Sequence, residues 1–275
     1  MRLLVTGAAG MLGHRVAAVA RERGHDVRAT DLPELDLLDA GAVRAFVDEH
    51  APEAIINCAA YTDVDGAEGD EARATRINRD TAASLAGAAP YLVHVSTDYV
   101  FAGDGERPYV ESDAPAPRTA YGRSKLAGEQ AVLAAGNGHA IVRTAWLFGA
   151  GGRNFVDTML RLAGERDELR VVVDQVGSPT WTGHLAPALV DVAERRLSGI
   201  VHAAGTGECS WHALAIEALS RAGASARVLA ITSRDYPLPA PRPAYSVLGS
   251  ERDDAPRLPP WQDGVAGHLG ERRDA

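Results

Sequence analysis

Cysteine is nearly missing from this chain. Only Cys58 and Cys209 occur in 275 residues, too few for a disulfide framework or a four-cysteine metal site, so a reducing cytoplasm is the expected setting. Positive charge is also in deficit. With 28 Lys and Arg against 37 Asp and Glu, the net charge is −9, which argues against a broad nucleic-acid surface but leaves room for a local pocket that holds a small anion. Long apolar runs are absent as well: charges or breakers interrupt every stretch before the roughly 20 residues that a membrane crossing needs. The first residues run directly into RLLVTGAAG, with no basic leader and no small-residue cleavage site before it, so no exported or membrane-bound product is expected. No metal-ligand set emerges either, because His94, His184, His202 and His212 are scattered and lack partners at ligand spacing.

What is present is apolar material, 46% of the chain against 24% charged, enough for a substantial core. Its arrangement alternates. Short apolar runs at 3–5, 27–30, 54–57, 91–96 and 139–145 are separated by helical patterns at 11–23, 41–50, 71–89 and 121–135. That rhythm predicts an α/β fold built on parallel strands covered on both faces. Residues 1–146 read as the dinucleotide-binding and catalytic domain. Residues 147–275 are interrupted by GAGGRN, DQVGSPT and a proline-rich stretch at 237–243; they read as a smaller substrate-binding region whose later elements return to pack on the first, with ordinary surface connections as the alternative for the interruptions.

The first motif with chemical content is TGAAGMLG, which places Gly7, Gly10 and Gly13 in a tight turn between a strand and a helix. Small residues there let backbone approach a pyrophosphate, and a helix N-terminus favours the anion. Met11 and Leu12 can simply pack the start of that helix. Beyond the second strand, Asp31 and Asp36 are candidates for holding an adenosine ribose, or are merely solvated loop carboxylates. Asp31 in the ribose site would resist a 2′-phosphate, yet the sequence leaves NADH and NADPH both open. In NCAAYTDVDGAE, Ala59 and Ala60 allow close approach of a cofactor and Tyr61 can border it, while Cys58 lacks the neighbours of a reactive thiol.

The strongest chemistry lies in STDYVF at 96–101 together with YGRSK at 121–125. Thr97 follows an apolar strand, and Tyr121 and Lys125 are four residues apart at a helix start, so they share one side of it. A tyrosine can give a proton to a carbonyl oxygen while hydride reaches its carbon. A threonine can orient that oxygen, and a lysine can favour tyrosinate and hold a nicotinamide ribose. Trp146 in RTAWLFG is either a pocket wall or a core side chain. Arg242 either meets a phosphate or fixes a surface loop.

Taken together, RLLVTGAAGMLG, STDYVFAGDG, YGRSKLAGE, RTAWLFG, NFVDTML, VVDQVGSPT and RPAYSVL make the chain resemble, over almost its whole length, the extended short-chain dehydrogenase/reductase family and, within it, the dTDP-4-dehydrorhamnose reductases. The resemblance implies a Rossmann-like doubly wound parallel sheet with a smaller carboxy-terminal substrate-binding region, and reduction of the C4 keto group of a dTDP-4-keto-6-deoxy sugar, dTDP-4-dehydro-β-L-rhamnose, by NADPH or NADH. It implies a Thr97, Tyr121 and Lys125 triad, with Tyr121 and Lys125 also on the cofactor. Gly7, Gly10, Met11, Leu12 and Gly13 are placed near the diphosphate, and Asp31, Asp36, Leu37, Ala59, Ala60 and Tyr61 near the nucleotide end. On the sugar side it points to Asp98, Tyr99 and Trp146, with Asn154, Phe155 and Gln175 in the substrate region, where a hinge or cap is an equal reading.

Two other readings stay open. A sister enzyme of the dihydrostreptose synthase type would share the triad, and a non-catalytic regulatory subunit of a methionine adenosyltransferase would share the fold. Monomer and homodimer are both compatible with the sequence, and the interface metal of some family members finds no matching ligand set here.

Overall fold

In the computed structural model, which describes residues 1–136 and 138–274, the alternation seen in the sequence becomes a layered α/β structure. The chain runs β1 (Arg2–Thr6), α1 (Met11–Glu22), β2 (Asp26–Thr30), α2 (Ala40–His50) and β3 (Ala54–Asn57). It continues through α3 (Val64–Gly69), α4 (Glu71–Thr75), a π-helical turn at Arg76–Asp80, α5 (Thr81–Ala88), β4 (Leu92–Thr97), α6 (Ala120–Ala134) and β5 (Ala140–Thr144). The later elements are β6 (Leu147–Phe148), α7 (Phe155–Ala163), β7 (Glu168–Val172), β8 (Val176–Gly177), β9 (Thr180–Trp181), α8 (Thr182–Arg195) and β10 (Gly199–His202). They end with β11 (Cys209–Ser210), α9 (Trp211–Ala222), β12 (Arg227–Ile231) and α10 (Trp261–Asp274).

Six strands form one parallel sheet in the order β10-β5-β4-β3-β1-β2. Alternate residues of each strand face opposite helix layers. Leu3, Val5, Ile56, Val93 and Val142 pack with Val16 and Ala20 of α1 and Leu185 and Leu189 of α8. Leu4, Ile55, Leu92 and Ile141 pack instead with Val43 and Val47 of α2, Leu85 of α5 and Val132 of α6. With both faces covered, strands such as AIIN are buried at every position and read as unbroken apolar runs.

Chain order reverses between β1 and β3, since β2 lies on one flank of β1 and β3 on the other. Such a switch point opens a crevice at the carboxyl ends of the strands. The last sheet strand, β10, and the long helix α8 both come from the second half of the chain. That half also holds a smaller unit in which the parallel pair β7 and β12 packs on α9 through Leu169, Val171 and Leu219. Phe148, Val156, Leu214, Trp261 and Val265 bury the surfaces between α7, α9 and α10.

The helical pattern at 71–89 is not one regular helix. Its middle, Arg76–Asp80, is π-helical, and the extra residue of such a bulge accompanies an inward-facing Asn78, 3% exposed. Its Nδ2 donates to Ser124 Oγ at 2.8 Å and its Oδ1 accepts from Tyr61 N–H at 2.8 Å.

Candidate active site

A cavity of about 840 Å³ follows the crevice from the glycine turn to the start of α6. At its first end the turn after β1 is shaped by contact. A Cβ on Gly7, whose φ is +70°, would lie 2.5 Å from Ala59 N, and one on Gly13 would lie 2.1 Å from Gly7 O. Only glycine fits at either place. The first turn of α1 carries no acidic side chain and Gly10 supplies no side-chain cap, so that turn is fitted to an anionic group. Asp31, the residue after β2, lies against this turn, where its carboxylate accepts from Ala9 N–H at 2.9 Å and Leu32 N–H at 2.8 Å. Asp36 accepts from Leu38 N–H at 2.9 Å. Gly10, Met11, Leu12, Leu37, Ala59 and Ala60 share the same wall.

At the other end β4 delivers Thr97, and Thr119 caps α6 by accepting from Gly122 N–H at 2.9 Å. The capped helix turns Tyr121 and Lys125 toward the carboxyl end of β4. Thr97, Asp98, Tyr99, Tyr121, Lys125 and Trp146 all line the cavity. Burial pushes the Tyr121 hydroxyl up from its ordinary value and the charge of Asp98 adds to this, while a hydrogen bond with Thr97 pulls it down. Lys125 Nζ donates to Val95 O at 2.7 Å. Burial lowers its ammonium from 10.5 to about 8, against the charge of Glu129 one turn further along α6. The Thr97 hydroxyl donates to Asp98 Oδ1 at 3.0 Å, and burial raises that carboxyl to about 6. A weakened ammonium and a phenol that line one cavity, with the Thr97 hydroxyl on the phenol, are suited to delivering a proton to a carbonyl oxygen.

Behind this group lies a buried ion pair. Arg143 donates from Nε to Glu129 Oε1 at 2.9 Å and from a terminal nitrogen to Oε2 at 2.7 Å. Ser96 Oγ, itself at the cavity, donates to the same carboxylate at 2.6 Å. The two charged side chains are 3% and 1% exposed.

Five residues singled out from the sequence lie outside the cavity wall. Tyr61 packs beside Tyr121 and is held through its backbone by Asn78. Asn154 caps α7, accepting from Asp157 N–H at 2.9 Å. Phe155 tilts against Trp211, with centroids 4.6 Å apart. Gln175 donates to Ser233 Oγ at 2.8 Å. Arg242 donates to Asp65 Oδ2 at 2.6 Å, so its charge is already matched.

Conversely, the wall includes Trp211 and Arg153, which sequence reasoning missed. Trp211 stacks on Trp146 with centroids 3.5 Å apart and planes at 1°. Trp146 adopts a left-handed backbone, φ +47°, a strain of about 1–3 kcal/mol for a non-glycine residue that the stack and neighbouring packing offset. No local pattern foretold the pairing. The signal for Arg153 is a lone cation in the glycine-rich GAGGRN segment, which a reading of that segment as a whole passes over.

This geometry has close counterparts. The profile of the RmlD substrate binding domain matches residues 1–273. The chain is 46% identical over 271 residues to a dTDP-4-dehydrorhamnose reductase of Streptomyces griseus, covering 94% of this chain and 89% of that protein. It is likewise 46% identical over 270 residues to a probable dTDP-4,6-dihydroxy-2-methyloxan-3-one 4-ketoreductase of Streptomyces antibioticus, covering 96% and 92%. Among solved structures it is similar to a dTDP-4-dehydrorhamnose reductase of Bacillus anthracis in complex with NADP. There the TM-score is 0.95 and the identity 38%, with 98% of this chain and 99% of that one covered. A match that runs from the glycine turn through α10 leaves one assignment: the chain belongs to the RmlD substrate binding domain family.

Proposed function

We propose that this chain is an NAD(P)H-dependent reductase that converts the C4 keto group of dTDP-4-dehydro-β-L-rhamnose to the alcohol of dTDP-β-L-rhamnose. The observation that carries the reading is the convergence of Thr97, Tyr121 and Lys125 in the same cavity as the glycine turn. The side-chain-free cradle at Gly7 and Gly13 and the uncapped start of α1 suit a dinucleotide pyrophosphate. When bound, the nicotinamide supplies the hydride. Tyr121 gives its hydroxyl proton to the carbonyl oxygen, and Thr97 orients that oxygen. Lys125 stabilises the phenolate left behind and holds the nicotinamide ribose. The stacked Trp146 and Trp211 shape the sugar side and keep water from it.

On this reading residues 1–146 carry the cofactor and proton chemistry, while 147–275 shape the sugar side and return α8 and β10 to the sheet. Both NADH and NADPH are accepted: Asp31 favours an unphosphorylated ribose, whereas the Bacillus anthracis relative was crystallised with NADP. The two unpaired cysteines support a cytoplasmic location. Among the described residues no helix is long and apolar enough to cross a membrane, and no group of three His, Cys, Asp or Glu is placed to hold a metal ion.

A second reading, reduction of a related dTDP-4-keto-deoxysugar, is favoured by the equal identity to the Streptomyces antibioticus protein. One experiment separates them. Purified protein is given the 4-keto sugar nucleotide with NADH or NADPH, cofactor oxidation is followed, and the product configuration is assigned by NMR. The rhamnose product supports the first reading. A different C4 epimer, or turnover only with another keto sugar, supports the second, and absence of any reduced sugar defeats both.

A further inference from the structure

We propose that Arg153 binds the pyrophosphate of the nicotinamide cofactor together with the backbone N–H groups that open α1. The inference rests on the cofactor lying along the glycine turn, and it starts from the charges around the cavity. Asp31, Asp36 and Asp98 line it against two cations, Lys125 and Arg153. Lys125 is 3% exposed and bound to Val95 O, at the proton-transfer end. Asp31 stands directly against the glycine turn through Ala9 N–H. The end that must receive a dianion is therefore flanked by carboxylates, and a helix terminus contributes only about half a charge. Arg153 is the cation left to balance it. It is exposed, and among the described residues it makes no ion pair.

Its position is built rather than incidental. Asn154 Nδ2 donates to Gly149 O at 2.9 Å and to Gly152 O at 3.2 Å, tying the 149–154 loop to the start of α7. The tied loop presses on the cofactor end of the cavity, since a Cβ on Gly152 would lie 3.0 Å from Met11 Cβ. Met11 is the first residue of α1. Arg153, the next residue after this contact, is thus anchored beside the helix N-terminus, and a guanidinium offers the planar pair of donors that a phosphate accepts. A nucleotide sugar also carries a pyrophosphate, but the contact with Met11 assigns the arginine to the cofactor.

The test is equilibrium binding without turnover. NADH, NADPH and, separately, dTDP are titrated into wild type, Arg153→Ala and Arg153→Lys by fluorescence, with melting curves to verify folding. Arg153→Ala should raise Kd for both cofactors about five- to tenfold, the range for a partly exposed charged contact, and leave dTDP binding unchanged. Arg153→Lys should recover part of the loss, and the gap between wild type and alanine variant should narrow at high salt. An alanine variant that binds both cofactors as wild type does would overturn the proposal. So would a loss confined to NADPH, which would assign Arg153 to the 2′-phosphate, or a loss confined to dTDP. Wild type that binds neither cofactor would instead defeat the glycine-turn reading beneath it.

Discussion

Replacing Asp98 with asparagine should stabilise the protein at neutral pH. The carboxyl is 2% exposed, and its Oδ2 has no hydrogen-bond partner among the described residues. Burial lifts it from 3.8 to about 6, against the opposing pull of the Ser246 and Thr97 hydroxyls. The folded chain therefore keeps a proton that the unfolded chain releases across this interval. Stability due to this group is complete below about pH 3.8 and is lost as pH rises through about 6. A gap of about two pH units corresponds to about 3 kcal/mol at pH 7. Asparagine is nearly isosteric, still accepts from Thr97, and cannot ionise. Asp98→Asn should thus gain up to about 3 kcal/mol at pH 7, and the gain should shrink toward zero near pH 4. Urea unfolding at both pH values measures it. A variant no more stable than wild type at pH 7, or one whose advantage persists undiminished at pH 4, would refute the premise that a buried charge is the cost.

Tyr121→Phe should keep cofactor affinity and lose about 10²–10⁴-fold in kcat, the usual contribution of a positioned proton donor; a smaller loss in steady-state turnover would remove Tyr121 from the chemical step. Arg143→Met strands the Glu129 carboxylate and should cost about 3–5 kcal/mol in urea unfolding, with Glu129→Gln added to it restoring part of the loss. A single variant within 1 kcal/mol of wild type would show the pair to be dispensable. Trp211→Ala removes the ring beneath Trp146 and should raise KM for the nucleotide sugar about tenfold, as loss of an aromatic contact surface does, while Kd for NADPH stays constant. Equal changes in both would place Trp211 in general folding rather than at the sugar.

The glycine turn, Thr97, Tyr121 and Lys125 were legible in the sequence because their chemistry is local. A tight turn and a four-residue spacing on one helix need no knowledge of the rest of the chain. Buried parallel strands announced themselves as apolar runs for the same reason. Their order did not, because pairing β1 with β3 rather than with a later strand is decided by contacts across tens of residues. The π turn that positions Asn78 leaves no periodic mark, since a single extra residue barely shifts a helical pattern over 71–89. Trp211 reaches Trp146 only through tertiary packing. Arg242 illustrates the converse: a cation in a plausible loop was matched by Asp65, whose partner the sequence could not name.

Because β10 completes the sheet, the order of synthesis matters. When β5 leaves the ribosome its outer edge offers unpaired N–H and C=O groups along Ala140–Thr144, a strand buried at every position in the finished protein. Its neighbour does not emerge until residue 202, a delay of several seconds at about 5–20 residues per second. During that interval the nascent chain carries an adhesive strand edge. A fragment ending after β6 would keep that edge permanently, so truncation to the half that bears the glycine turn and triad should yield a chain prone to edge-to-edge association.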